Sequence, residues 1–271
     1  QGDVGSGKTV VAAAAMYKAV KSGFQAVMMA PTELLARQHY ESLKGLFWQH
    51  GIKTGFLSGG ISQKEKKEVQ DQIENGFLDI IIGTHAVIQP GVRFNNLGLV
   101  ITDEQHRFGV NQRALLSQKG RNPDVLVMSA TPIPRTLAVI LYGDLDISII
   151  DEMPPGRKQI ITRAVNSDGR EAAYEFVRRE VRKGRQAYVV APLIEDSENL
   201  DVKSALGLYE ELKERFHEFP VALLHGGMKQ ADKDRIMKEF AKGQSRILIS
   251  TVVIEVGINV PNATVMLVEN A

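Results

Sequence analysis

A rhythm of short, continuous apolar runs separated by helical stretches, present twice, constrains this chain more than any other feature. Ala26–Met29 (AVMM), Asp79–Ile82 (DIII), Leu97–Thr102 (LGLVIT) and Val125–Met128 (VLVM) are continuous rather than alternating in character. Strands of that kind are covered on both faces, as in a parallel sheet. Between them the apolar spacing predicts helices over Lys8–Ser22, closed by Gly23, and over Glu33–Gln49, Gln63–Asn75, Asn111–Gln118 and Pro134–Leu141. The stretch Asp151–Lys158 (DEMPPGRK), with paired prolines and a glycine, predicts a linker. Beyond it the rhythm restarts. Strands are expected at Ile160–Ala164, Ala187–Val190, Val221–Leu224, Arg246–Ser250 and Thr264–Val268, with helices at Arg170–Lys183, Val202–Phe216 and Gln230–Lys242. The expectation is an α/β fold of two tandem parallel-sheet lobes, residues 1–150 and 160–271, joined by a linker at 151–159. No sequence repeat is evident between the halves, only a repeated architecture.

Composition narrows the function. A chain of 271 residues that is 44% hydrophobic can build two cores. With 33 basic and 32 acidic residues the formal net charge is +1, which excludes a polycationic arm. Any nucleic acid must be met by local grooves instead of a global positive field. The absence of cysteine excludes disulfides, thiolate catalysis and cysteine-bound metals, and fits a reducing, cytoplasmic setting. The longest apolar run, Val10–Tyr17, is too short to cross a bilayer, so no membrane partner is expected.

Gly2-Asp3-Val4-Gly5-Ser6-Gly7-Lys8-Thr9 matches the phosphate-loop pattern G-x-x-x-x-G-K-[ST] in full. Glycines let backbone N–H groups curl around phosphate oxygens, and the following helix presents its positive end. Gly5, Ser6, Gly7, Lys8 and Thr9 are therefore the candidate nucleotide-binding residues. Lys8 reaches the β- and γ-phosphates of such a ligand, and the Thr9 hydroxyl serves Mg²⁺. Average residue usage would produce the pattern by accident in roughly one chain of this length in a hundred. Its place directly before a helix strengthens the reading.

The second candidate element is Ile101-Thr102-Asp103-Glu104-Gln105-His106, an apolar strand ending in an acidic pair. Asp103 is the candidate Mg²⁺ ligand and Glu104 the base that takes a proton from an attacking water. Acidic pairs also end strands as turns or caps, so this one alone does not decide the chemistry. With the phosphate loop it completes a site for ATP and Mg²⁺. His106 lacks a second His or Cys at ligand spacing, which favours an interface role over metal binding.

These residues carry a resemblance. Asp103–His106 followed by Arg107-Phe108-Gly109, with Ser129-Ala130-Thr131-Pro132-Ile133-Pro134-Arg135-Thr136 downstream, resembles superfamily 2 helicases, and within them the RecG family of bacterial DNA translocases. Ala30–Ala36 (APTELLA), Gly83-Thr84-His85, Leu224-His225-Gly226 and Ser250-Thr251 with Ile254-Glu255-Val256-Gly257 extend it over the whole chain. The resemblance implies two RecA-like lobes with ATP between them, Gly257 on the nucleotide, and double-stranded or branched DNA as partner. It implies a DNA-backbone track at Thr32, Thr84, His85, His225 and Thr251. It implies coupling of hydrolysis to movement through His106, Ser129, Thr131 and Glu255. It further implies a monomer of the bacterial cytoplasm, associated with the nucleoid. Two simpler readings stay open: Thr32 as a helix N-cap, and Ser129 and Thr131 as mere strand ends. The charged runs Lys64–Glu68, Arg178-Arg179 and Arg182-Lys183 read as solvated faces, and Trp48 as core.

The sequence departs from the family pattern at named positions. Val252 stands where a second threonine is usual, and Asn259 where aspartate is usual before Val260-Pro261. No strand precedes the phosphate loop. The family continues past Glu269-Asn270-Ala271 into a Gln/Arg-rich segment with an arginine finger, a device worth on the order of 10³–10⁵ in rate in GTPases. It also carries a wedge domain before the loop. The expectation is a motor core trimmed at both ends, which by itself binds nucleotide poorly and turns it over slowly. Rival readings are a transcription-repair coupling translocase, an RNA helicase, and a nucleic-acid or nucleotide-binding scaffold without turnover.

Overall fold

The structure, a computed structural model, describes residues 1–103, 119–130, 146–152, 159–191, 198–250 and 260–269. The helices expected at Asn111–Gln118 and Pro134–Leu141 lie outside them, as does most of the expected linker. The chain divides into two compact units, Gln1–Gln159 and Ile160–Ala271.

In the first unit, helix α1 (Lys8–Lys21) leads to β1 (Gln25–Met29), α2 (Glu33–Trp48), β2 (Thr54–Leu57), α3 (Gln63–Glu74), β3 (Ile80–Gly83), β4 (Leu97–Asp103) and β5 (Asp124–Met128). The strands form one parallel sheet in the order β2-β3-β1-β4-β5. Each central strand is buried on both faces because its apolar residues divide between two cores. Ala26 and Met28 of β1 and Ile80 and Ile82 of β3 pack with Ala12, Met16, Leu43 and Phe47 of α1 and α2. Val27, Met29 and Ile81 pack the other way, against Ile73 of α3 and Val87. Continuous apolar runs are thus the consequence of helices on both faces. Strand β2 escapes the apolar-run rule because Gly55 interrupts it: a β-carbon there would lie 2.5 Å from Leu78 Cδ1.

The second unit contains α4 (Arg170–Arg182), β6 (Gln186–Val190), α5 (Glu198–Arg215), β7 (Val221–Leu224), α6 (Gln230–Ala241), β8 (Ile247–Ser250) and β9 (Ala263–Val268). Its parallel sheet runs β7-β8-β6-β9. Tyr174, Val177 and Val181 of α4 and Phe216, just past α5, pack on Ala187, Val189, Ile247 and Ile249. On the other face Tyr188 meets Phe240 of α6 at 5.0 Å between ring centroids.

A side-chain device recurs in the two units. Gln25 begins β1, and its amide nitrogen donates to the carbonyls of Ile73 and Leu78. Gln186 begins β6 and donates likewise to Phe240 and Ser245. Each follows a left-handed glycine, Gly23 at φ 84° or Gly184 at φ 86°, whose carbonyl accepts from an asparagine, Asn96 or Asn262. That asparagine's own carbonyl accepts from the glutamine N–H in both units. The halves therefore share Gly-x-Gln-Ala ahead of the central strand, a short repeat hidden at the level of sequence.

Several expectations are corrected. The β-branched run Ile160–Ala164 is not a strand; it is exposed and joins no sheet among the described residues. Trp48 is 78% exposed, because as the last residue of α2 it turns away while Phe47, 1% exposed, fills the core. Arg178 is not simply solvated: its side chain is 18% exposed and pairs with Glu175 and Glu218. The Lys64–Glu68 run is a mostly exposed face, as expected.

Candidate nucleotide-binding site and strand-end cluster

The phosphate loop owes its shape to two glycines. Gly5 and Gly7 stand at φ 80° and 96°, and a β-carbon on either would meet nothing within 4 Å, so glycine is required by backbone conformation and not by crowding. Ser6 N donates to Asp3 O at 3.1 Å, closing the turn. Gly7 is the N-cap of α1 but supplies no side-chain cap, and the helix has no acidic residue in its first turn. The orphan N–H groups of that turn therefore keep their attraction for an anion. The Lys8 ammonium folds over the loop and donates to the carbonyls of Gly2 at 2.7 Å and Asp3 at 3.0 Å. Ser6 Oγ is buried with no hydrogen-bond partner. A lysine held by carbonyls alone and an orphaned hydroxyl, above a helix start with no acid, suit a polyphosphate.

A strand-like segment does enter the loop. Gly2 N donates to Ser129 O at 3.3 Å, Ile150 N donates to Gln1 O at 2.7 Å, and Gly2 forms a parallel bridge with Ile150. Residues 1–2 thus lie beside the end of β5, with β4 the next strand across. Asp103 ends β4 and is buried, 7% exposed. Its Oδ2 lies 2.7 Å from Nε2 of His39, which is equally buried on α2. The loop and Asp103 share the carboxyl edge of one parallel sheet, where ligands of such folds bind. Among the described residues no three His, Cys, Asp or Glu side chains are grouped to hold a metal. One carboxylate and the half-buried Thr9 hydroxyl are a donor set that suits Mg²⁺ shared with substrate phosphates.

The remaining candidates of this unit lie along the same edge. Thr32 follows β1 and caps α2, its Oγ1 accepting from Leu35 N at 3.3 Å. The cap reading therefore holds, and a cap does not exclude a phosphate contact at the same helix start. Thr84 follows β3; it is buried, and its Oγ1 has no partner. His85 beside it is exposed. Ser129 is buried just past β5. In the second unit, His225 follows β7, half-buried, with Nδ1 unpartnered. Glu104, His106, Thr131, Thr251, Glu255 and Gly257 lie outside the described residues, as do Val252 and Asn259.

Sequence reasoning missed two groups at this edge. Glu33, the first residue of α2, accepts from Ser58 Oγ at 2.9 Å and from Gly60 N at 3.2 Å, pinning the loop after β2 beside Thr32. His39 is the other. Its signal was its place in the buried stripe Leu35, Ala36, His39, Leu43, Phe47, where an imidazole needs a polar partner.

The comparisons with known proteins decide the family. Residues 1–140, over half the chain, match the DEAD/DEAH box helicase model, and residues 169–271 match the helicase conserved C-terminal domain. The chain belongs to the DEAD/DEAH box helicase family. All of it aligns with the ATP-dependent DNA helicase RecG of Streptococcus pneumoniae at 56% identity and with that of Thermotoga maritima at 55%. It spans 40% and 35% of those relatives' lengths. A solved RecG bound to a three-way DNA junction matches with a TM-score of 0.83 at 49% identity, over 98% of this chain and 34% of that one. The Saccharomyces cerevisiae helicase Dbp5, bound to RNA and ADP with beryllium fluoride, shares the fold with a TM-score of 0.69 at 21% identity, over 97% of this chain and 67% of that one. Two parallel-sheet lobes of the RecA-like kind are common to these helicases. No helix among the described residues is long and apolar enough to cross a membrane.

Proposed function

We propose that this helicase chain is the ATP-hydrolysing core of a DNA translocase that remodels branched DNA, such as stalled replication forks and recombination junctions. The observation that carries the proposal is the likeness, at 49% identity over 98% of the chain, to a RecG held on a three-way DNA junction. The phosphate loop and Asp103 on one sheet edge supply the matching chemistry.

In this reading Gly5, Ser6, Gly7 and Lys8 bind the ATP phosphates, with Lys8 neutralising charge on the transferred group. Thr9 and Asp103 hold Mg²⁺, which when bound offsets the charge of the phosphate oxygens. Glu104 accepts a proton from the attacking water, and Gly257 adds a backbone contact to the nucleotide. Thr32, Thr84, His85, His225 and Thr251 follow the DNA backbone. The unpartnered Thr84 hydroxyl and the helix start at Thr32 support that track, because hydroxyls and N–H groups grip phosphates without a basic surface. His106, Ser129, Thr131 and Glu255 relay the nucleotide's state to the track. The protein works as a monomer in the bacterial cytoplasm.

The test is strand separation by the full native polypeptide on a forked DNA, an unbranched DNA duplex and an RNA duplex, with ATP and Mg²⁺. Preference for the fork, lost in Lys8→Ala, is expected. Preference for RNA would replace the proposal with an RNA helicase, and equal use of all three would remove the branched-substrate reading.

A further inference from the structure

We infer that His39 is a positioning residue: it holds the Asp103 carboxylate in place for the metal of the phosphate site and ties that carboxylate to helix α2. The inference rests on the proposed role of Asp103 as a metal-holding side chain.

The geometry has three parts. Asp103 and His39 are each 7% exposed, and 2.7 Å separates Oδ2 from Nε2, so the pair is a short hydrogen bond shielded from water. The two residues are 64 positions apart and sit on different elements, the last residue of β4 and the middle of α2. The histidine also interrupts an otherwise apolar stripe, in a place where a leucine would fill the core at no polar cost. A purely structural histidine needs some acceptor. This one takes Asp103, the carboxylate that ends β4 at the edge where the phosphate loop lies.

Hydrogen bonds from outside the coordination sphere orient a metal-binding carboxylate and limit its rotation, and their loss typically weakens metal binding 10–100-fold. His39 further lies seven residues, about 10 Å of helix, from Thr32, which caps the start of α2. One rigid helix thereby connects a proposed DNA-backbone contact to the proposed metal-holding carboxylate. A shift of α2 along its axis would carry His39 with it and turn Asp103.

The experiment uses the full native polypeptide and its His39→Ala, His39→Gln and Asp103→Ala variants, with Mn²⁺ as a paramagnetic probe. Mn²⁺ affinity is read by electron paramagnetic resonance in the presence of a non-hydrolysable ATP analogue, and a thermal melt on each variant records stability. His39→Ala is expected to weaken Mn²⁺ binding about tenfold or more, with nucleotide affinity in the absence of metal unchanged. His39→Gln, which keeps an N–H donor, is expected to recover most of the loss. Mn²⁺ affinity within twofold of wild type in His39→Ala, alongside loss in Asp103→Ala, would overturn the inference. Equal loss in both His39 variants, in proportion to lost stability, would reduce His39 to a packing residue and also overturn it. The link to α2 is read separately as the ratio of ATP turnover with and without a DNA junction. That ratio is expected to fall several-fold in His39→Ala, and an unchanged ratio would refute the link. Normal Mn²⁺ binding in Asp103→Ala would instead fail the underlying assignment of Asp103.

Discussion

A β-carbon at Gly83 would lie 1.9 Å from the Leu57 carbonyl oxygen and 2.8 Å from Val87 Cγ1. The first neighbour is backbone of the adjacent strand and cannot swing aside, so Gly83→Ala must part β2 from β3. A loss of about 2–3 kcal/mol in urea unfolding of the first unit is expected, since overpacking costs that much without a ready void. In the second unit, Tyr174 donates to Glu269 Oε1 at 2.5 Å. Burial first, then the hydrogen bond to and the charge of Glu269, push its phenol above the ordinary value. Burial alone takes Tyr188 to about 12. A raised folded pKa means the folded state holds its proton more tightly. The stability it gives is present below the unfolded pKa of about 10 and is lost as pH rises beyond it. The thermal midpoint of this unit should therefore hold to about pH 10 and fall towards pH 12, with a shallower fall in Tyr174→Phe. At this scale the sequence was legible where a pattern fixes chemistry, as in Gly7-Lys8-Thr9. It was silent where a partner is brought from afar: nothing near His39 in the chain announces Asp103, 64 residues on.

Elements were legible when their burial was uniform. The runs at β1, β3, β4, β6 and β8 read as doubly covered strands because helices lie on both faces. β2 was missed because Gly55 breaks its apolar run, and Ile160–Ala164 was misread because β-branched composition alone does not provide a neighbouring strand. The glutamines that begin β1 and β6 were missed for another reason: their meaning lies in four buried hydrogen bonds to carbonyls, two in each unit. Gln25→Leu removes the side-chain donor to the Ile73 and Leu78 carbonyls and the Oε1 acceptor of the Asn95 and Asn96 N–H groups, and a loss of roughly 2–4 kcal/mol is expected in urea unfolding. Helix α3 begins with a capping box, Ser62 Oγ accepting from Glu65 N at 3.2 Å and Glu65 Oε2 accepting from Ser62 N at 3.0 Å. Ser62→Ala should cost about 1 kcal/mol. Thr32→Ala should cost a similar amount as a cap, so any loss of DNA affinity well beyond that stability change would mark the phosphate contact.

For the molecule as a whole, a formal net charge of +1 leaves the proposed recognition of DNA to local hydroxyls and helix starts. The sheet edge at Thr32, Thr84 and Asp103 has that character, and it places proposed DNA contacts and proposed phosphate chemistry on one rigid layer. A ligand that binds only the folded state stabilises it by about 2.7 kcal/mol at a hundred times its dissociation constant. An ATP analogue with Mg²⁺ should therefore raise the melting midpoint of the first unit, and Lys8→Ala should abolish that rise. The most direct test of the central claim is steady-state ATP turnover by the full native polypeptide, with and without a three-way DNA junction. Turnover should rise on adding the junction and fall about a hundredfold or more in Lys8→Ala. Turnover indifferent to DNA, or undiminished without the Lys8 ammonium, would contradict the account.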